Sequence, residues 1–327
     1  MSSQTIRMAS GYNFPLVGLG LWKVPRDKTA DLVYKAIKSG YRHFDSAYDY
    51  HNEKEAGEGI RNAIEDDLVT REDIFITTKL WNNYHAKDHA LKMAKYQNDT
   101  WGLGYIDLYL IHFPIALKYV NPKEIEFPSW WCDKNRSLVE TERVPMRETW
   151  EALESLVDLG IVRSIGVSNC LAQTIYDIQT YNRYPISSLQ IEHHPYLVQP
   201  NLIKFAQEKN ISVVGYSSFG PQSFLGLPEK FSERAKNVTN LFSNEVIVSI
   251  AAKHNRSPAQ ILLRWATQNN IAVIPNALIK TYLEQNICLD FDLTEKEIEL
   301  INNLDLNLRF NDPGFFLKDQ YALNLFE

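Results

Sequence analysis

Cysteine is scarce in this chain. Three residues, Cys132, Cys170 and Cys288, stand far apart among 327. Their spacing matches neither a disulfide framework nor a metal or redox motif, so free thiols in a reducing compartment are expected. Positive charge is not in excess either: 34 Lys and Arg face 40 Asp and Glu, a formal net charge of −6. That balance argues against nucleic acid or an anionic membrane as the main partner. No apolar run reaches transmembrane length, and the N-terminal MSSQTIRMASGYNFP holds no apolar core of signal-peptide size. A soluble cytoplasmic protein is the expectation. A Gly-x-Gly-x-x-Gly fingerprint is missing too. Gly18 and Gly20 supply only Gly-x-Gly, which reads as close packing near a strand end. Neither a linker nor a break in composition divides the chain.

What is present is core material, 45% of the residues being hydrophobic. Eight short apolar runs recur: LVGLGLW (16–22), YRHFDSA (41–47), IFITTKL (74–80), IDLYLIHF (106–113), VRSIGVSN (162–169), SSLQIEH (187–193), ISVVGYSS (211–218) and IAVIP (271–275). Amphipathic stretches separate them. In TADLVYKAIKSG, Val33, Ala36 and Ile37 share a face and Gly40 can end the helix; TWEALESLVDLG repeats the pattern with Trp150, Leu153, Val157 and Gly160. Val- and Ile-rich runs alternating with helices imply buried parallel strands. Eight consecutive units fit a closed (β/α)8 barrel forming one domain over residues 1–327, although pattern alone also admits an open doubly wound sheet. A long insertion at about 114–145 carries Pro128 and Trp130-Trp131 and reads as a lid or wall. After the eighth unit follow a helix at 293–305 and a tail, about 306–327, with Phe310, Phe315 and Phe316, expected over the mouth of the barrel.

Three strand ends place polar residues in apolar runs. Asp45 ends the second and Tyr50 follows it, Lys79 ends the third and His112 the fourth. Singly, each has an ordinary explanation: a helix cap, a packed ring, a satisfied core histidine. Together they form a site. A lysine in an apolar setting needs a counter-charge, and Asp45 is the candidate. An ammonium beside a phenol favours phenolate and is expected to lower the Tyr50 pKa, suiting it to general acid catalysis. A neutral histidine nearby can donate an N–H to a carbonyl oxygen. Such parts suit proton delivery to a carbonyl under reduction. Other readings are weaker. Glu192-His193-His194 looks like a metal cluster, but adjacent strand residues point to opposite faces, so no metal is expected. The run from Asn52 to Glu58 reads as a solvated helix face. A Schiff base at Lys79 is disfavoured by Asp45 and Tyr50.

The segment YRHFDSAYDYHNEKEAG resembles the aldo-keto reductase signature around its catalytic Asp and Tyr, with Lys79 in TTKLWN and His112 in LIHFP matching the rest of that family's tetrad. IGVSN (165–169), LQIEHHPY (189–196), YSSFGPQSF (216–224) and LRFNDP (308–313) look most like the D-xylose reductases of fungi, so the resemblance runs through nearly the whole chain. It implies a barrel that reduces aldoses and aldehydes with NAD(P)H. It also implies roles. Ser168 and Asn169, with Gln190 beside them, match the residues that hold the nicotinamide carboxamide. Tyr216 matches the ring that stacks on the nicotinamide, and Ser217 and Ser218 open the loop over the pyrophosphate. Trp22, Asp49, Trp81, Phe113 and Asn311 match the sugar pocket. The relatives are often homodimers, which nothing in the residues decides. A general aldehyde reductase with little sugar preference, or a nicotinamide-binding sensor, are the other functions open to such a chain.

Two departures from the family stand out. Asn-Asp-Pro is usually followed by Trp, whereas here Gly314 follows Pro313, which points to a more open rim. The junction IAVIPNALIKTY (271–282) reads Ile-Pro-Lys-Ser-Asn in the family with an Arg a turn later, and those four residues clamp the 2′-phosphate of NADPH. Here they are Asn276, Ala277, Leu278 and Tyr282, while Gln285 and Asn286 still match adenine contacts. NADH use is therefore expected, unless Lys280 substitutes for the clamp.

Overall fold

The computed structural model describes residues 4–321 and 323–326. Eight parallel strands form one sheet in chain order: β3 (Leu19–Gly20), β4 (His43–Asp45), β5 (Phe75–Leu80), β6 (Ile106–Ile111), β7 (Val162–Ser168), β8 (Ser188–Glu192), β9 (Ser212–Tyr216) and β10 (Ile271–Val273). Each falls inside one of the eight apolar runs. The sheet closes on itself. Val17 bridges Val273 in parallel, the Gly18 N–H donates to the Val273 carbonyl at 2.8 Å, and the Val273 N–H donates to Leu16 at 2.8 Å. Closure rules out the open doubly wound sheet. Gly18 and Gly20 sit at this seam: a Cβ on Gly18 would meet the His43 ring at 2.3 Å, and one on Gly20 would meet the Ile274 carbonyl oxygen at 2.4 Å.

Before the barrel lies a hairpin that the eight-unit reading did not include, β1 (Thr5–Arg7) paired antiparallel with β2 (Asn13–Pro15). Phe14 packs on His43 and Phe75, the first residues of β4 and β5, so the hairpin stops the N-terminal end of the barrel. Helix α1 (Arg26–Ser39) buries Val33, Ala36 and Ile37 and ends at Gly40, whose φ of 106° favours glycine. Helix α4 (Met146–Asp158) buries Trp150 and Leu153 in the same way. Between β9 and β10 run α7 (Glu229–Lys236), α8 (Glu245–His254) and α9 (Pro258–Gln268), two more than one βα unit requires. Beyond β10 come α10 (Lys280–Ile287) and α11 (Glu295–Asn302), the latter started by a capping box between Thr294 and Glu297.

Helix α2 (Glu53–Glu65) corrects the solvated reading of residues 52–58. Asn52 and Glu53 are buried. Asn52 donates to the carbonyls of Leu21 and Val24 at 2.9 and 3.2 Å. Glu53 accepts from Trp101 Nε1 and Gln97 Nε2, both at 2.9 Å, and from the Thr78 hydroxyl, behind the strand that carries Lys79. A buried carboxylate persists only with such donors. The segment between β6 and α4 contributes an aromatic wall: Trp130 lies 5.2 Å from Trp81, 4.9 Å from Phe113 and 5.7 Å from Phe316.

Candidate active site

Closure brings strand ends remote in sequence to one mouth. There Lys79 Nζ donates to Asp45 Oδ1 at 2.6 Å and to the Ser46 carbonyl at 2.8 Å, with Tyr50 Oη at 3.3 Å. Gln190 Nε2 donates to the other Asp45 oxygen at 2.7 Å, a bond that sequence reasoning missed. Burial pushes the Lys79 ammonium down and the Asp45 carboxylate up, and each opposes the other's shift.

Tyr50 sits in a single 3-10 turn, Tyr48–Tyr50. Its phenol is driven well above the usual tyrosine value, first by burial and then by the Asp45 carboxylate, Tyr216 and Asp49. The lowering expected from Lys79 is thus corrected. The ammonium is paired at 2.6 Å with a full negative charge, so little net field is left to favour phenolate. Tyr50 keeps its proton at neutral pH, ready to donate. His112, 5.8 Å from the Tyr50 ring and 4.9 Å from Trp81, is held well below the usual histidine value by burial and then by Lys79. It is a neutral imidazole beside a neutral phenol.

A second chain of bonds crosses the mouth. Asn311 Nδ2 donates to Tyr216 Oη at 3.1 Å, and Tyr216 Oη donates to Asn169 Oδ1 at 2.6 Å. Asn169 Nδ2 donates in turn to the His112 carbonyl at 2.9 Å and to Ser168 Oγ at 3.1 Å. Asn169 has φ of 57°, a conformation asparagine tolerates better than most residues.

These groups head a cavity of about 930 Å³, at the upper end of ligand sites. Trp22, Asp49, Trp81, Phe113 and Asn311 line it near Tyr50 and His112. Ser168, Asn169, Gln190, Tyr216, Ser217 and Ser218 line it too, as do Asn276, Leu278, Tyr282, Gln285 and Asn286 from the β10 junction and α10. Lys79 lies beneath, off the cavity wall, and touches it through Asp45 and Tyr50. Ala277 instead packs into the apolar cluster with Val33 and Leu283. Sequence reasoning also missed Lys23, Ser129, Arg136 and Phe224 on the cavity wall; they stand in loops, where no periodicity marks them. Lys280 does not line the cavity and pairs with Glu284 at 3.5 Å.

Asp49 is a buried titrating group on the cavity wall. Burial raises its pKa to about 7, against the opposing Ser129 hydroxyl and Arg136 charge. Its folded value lies above the unfolded value of about 3.9, so its ionisation costs stability. That contribution is fully present below about pH 4 and lost as pH rises through about 7. If Asp49 meets substrate hydroxyls, as the sequence resemblance implies, the sign for binding is reversed, because a carboxylate accepts hydrogen bonds better than a carboxylic acid. KM for a polyhydroxylated aldehyde should fall between about pH 6 and 8, and Asp49→Asn should flatten that profile. Initial rates across this range decide it, since an unchanged profile in Asp49→Asn removes Asp49 from the role.

Glu192 and His194 lie on one side of the chain, His194 Nε2 being 2.8 Å from Glu192 Oε1, while His193 faces away and stacks on Trp265 at 4.5 Å. Among the described residues no group of three or more His, Cys, Asp or Glu is placed to hold a metal, and no helix is long and apolar enough to cross a membrane.

A closed (β/α)8 barrel whose mouth holds a protonated phenol over a buried Lys–Asp pair, beside a neutral imidazole, is a barrel equipped for proton transfer to a carbonyl. The chain belongs to the Aldo/keto reductase family, whose sequence model matches residues 16–306. It is 52% identical over 321 residues to an NAD(P)H-dependent pentose reductase of Pyricularia oryzae, covering 96% of this chain and 97% of the relative. An NAD(P)H-dependent D-xylose reductase of Aspergillus niger is 50% identical over 314 residues, with 96% and 97% covered. Among solved structures, the aldose reductase of Schistosoma japonicum superposes with a TM-score of 0.86 at 33% identity, covering 99% of both chains. A Bombyx mori aldo-keto reductase in complex with NADP gives 0.84 at 33%, covering 98% of this chain and 99% of that one.

Proposed function

We propose that this protein reduces the aldehyde of an aldose, D-xylose foremost, to the corresponding alcohol, xylitol, with NAD(P)H as reductant and Tyr50 as proton donor. One observation carries the reading: the Lys79–Asp45 pair lies beneath Tyr50, at the head of a cavity that continues past Tyr216 to Asn276 and Asn286. NAD(P)H, when bound, supplies the hydride to the carbonyl carbon. Ser168, Asn169 and Gln190 are suited to its carboxamide, Tyr216 to its ring, and Gln285 and Asn286 to its adenine. The chain's own residues do the rest. Neutral His112 donates an N–H to the carbonyl oxygen and orients it. Tyr50 transfers its proton to that oxygen as negative charge develops there. Lys79, 3.3 Å from the phenol oxygen, donates a hydrogen bond to it, and that local bond, rather than the net field of the Asp45-paired ammonium, supports the oxygen once its proton has left. Trp22, Trp81 and Phe113 exclude water, and Asp49 and Asn311 take the sugar hydroxyls.

The test is oxidation of NADH and NADPH, followed by absorbance, with D-xylose as substrate. No turnover with either cofactor returns the chain to the cofactor-binding sensor, which the reductase names of its relatives do not favour. Preference for sugars over plain aldehydes is tested at Asn311. Asn311→Ala should raise KM for D-xylose about tenfold more than KM for benzaldehyde, because only the sugar loses hydrogen bonds of about 1.5 kcal/mol. Equal losses on both would make the protein a general aldehyde reductase. Three unpaired cysteines agree with a cytoplasmic setting.

A further inference from the structure

The Glu192-His193-His194 run, set aside as a metal site, has a different use. Glu192 is fully buried at the end of β8. Its Oε1 accepts the Phe310 N–H at 2.9 Å and its Oε2 accepts the Asn311 N–H at 2.8 Å. His194 Nε2 sits 2.8 Å from Oε1, and the His194 ring packs 5.2 Å from that of Phe310. Gln199 Nε2 donates to the Glu192 carbonyl at 2.6 Å, while Arg309 donates to Gln199 Oε1 at 2.9 Å.

We propose that Glu192 is a positioning residue that holds the C-terminal tail in register, so that Asn311 meets the substrate. The inference rests on the reading of Asn311 as a sugar contact. The tail has other anchors, but none acts at this point. The Leu306 and Leu308 amides donate to the Tyr196 carbonyl at 3.3 and 2.9 Å, and Arg234 holds the Arg309 carbonyl and Asp312 at 2.8 and 2.9 Å. Among the described residues only Glu192 accepts the N–H groups of Phe310 and Asn311, from a rigid strand end rather than from a loop. Two parallel N–H bonds to one carboxylate fix both the position and the rotation of that peptide. The Asn311 side chain then reaches Tyr216 Oη at 3.1 Å, at the end of the bond chain that Tyr216 and Asn169 hold independently through the His112 carbonyl. Burial alone would raise the Glu192 carboxyl, but His194, Arg309 and the Phe310 amide hold it below its usual value, so the acceptor stays ionised.

Glu192→Gln removes the charge and turns an NH2 toward one of the two amides. Glu192→Asp keeps the charge but withdraws it by one methylene, and serves if the first variant does not fold. Amide exchange decides the latch without any sugar: Phe310 and Asn311 should exchange at least about tenfold faster than in the wild type, and unchanged protection there overturns the proposal. For specificity, the ratio of KM for D-xylose to KM for benzaldehyde should rise about tenfold, with the cofactor dissociation constant moving far less. The same change made in Asn311→Ala should add less than about twofold, because the two residues act as one unit. A full additional loss there, or parallel losses on benzaldehyde and cofactor, shows that Glu192 merely supports the fold. Wild-type turnover of D-xylose, measured alongside, tests the functional reading separately.

Discussion

Tyr50→Phe is expected to lower kcat for D-xylose reduction by at least about a hundredfold, while the reduced cofactor binds with nearly wild-type affinity. The substitution removes one hydroxyl and leaves the ring, so the cavity keeps its shape and only the transferable proton is lost. Water is a poor replacement between Trp81, His112 and Phe113, where the site is walled by rings. Because the phenol is held above its usual value, the wild-type donor remains protonated throughout the neutral range. Loss of its proton is therefore not expected to limit the rate in the neutral or mildly alkaline range. Lys79→Met should reduce kcat as severely but by another route, and a second measurement tells them apart. Lys79 and Asp45 are 0% and 1% exposed, so removing the ammonium strands a buried carboxylate at a cost of about 3–5 kcal/mol. Tm should fall clearly in Lys79→Met and hardly at all in Tyr50→Phe. Near wild-type turnover by Tyr50→Phe would take the proton-donor role away from this residue.

The barrel was legible because its strands are short Val- and Ile-rich runs buried on both faces, a pattern with few other uses. The hairpin at 5–15 was not, since two three-residue strands carry too little apolar periodicity to announce themselves. Helices α7 and α8 were passed over for a related reason: nothing in the count of strands requires them. In the site, the residue types at strand ends pointed to Asp45, Tyr50, Lys79 and His112 as a group, and the fold gathers them. The direction of the Tyr50 shift was misread, because it depends on how completely Asp45 screens Lys79, a matter of distances. Glu53 was misread too. A carboxylate within a charged run looks solvated until the fold sets Thr78, Gln97 and Trp101 against it. Glu192 makes the same point, since its partners lie 118 and 119 residues away at Phe310 and Asn311.

NADH should bind at least as tightly as NADPH, reversing the preference expected of the family's 2′-phosphate clamp. A 2′-phosphate brings close to two negative charges and needs donors. Each charge-assisted bond contributes about 1.5–3 kcal/mol, so every lost contact costs about tenfold or more in affinity. The cavity wall offers few donors at this end. Leu278 and Tyr282 are largely exposed, Ala277 turns into the core, and Asn276 donates its amide to the Trp22 carbonyl at 2.8 Å. That bond occupies one of the two Nδ2 hydrogens and leaves Oδ1 and a single neutral N–H, a pair suited to a ribose 2′-hydroxyl but without the charge that a phosphate dianion requires. Lys280, the one cation on this turn, pairs with Glu284 at 3.5 Å on an exposed helix face. A surface pair of this kind holds its lysine by no more than about 1 kcal/mol, so the pairing alone does not forbid recruitment, and the experiment has to include it. Fluorescence titration of both reduced cofactors gives the primary answer: NADPH binding at least about tenfold tighter than NADH overturns the reading. Lys280→Ala should then leave the ratio of the two dissociation constants unchanged, whereas a further fall in NADPH affinity would make Lys280 a substitute clamp. The gain-of-function variant closes the argument. Asn276→Lys with Tyr282→Arg restores two cations where the phosphate would lie. It should tighten NADPH by about a hundredfold and NADH by far less, because only the phosphate has charge to meet them.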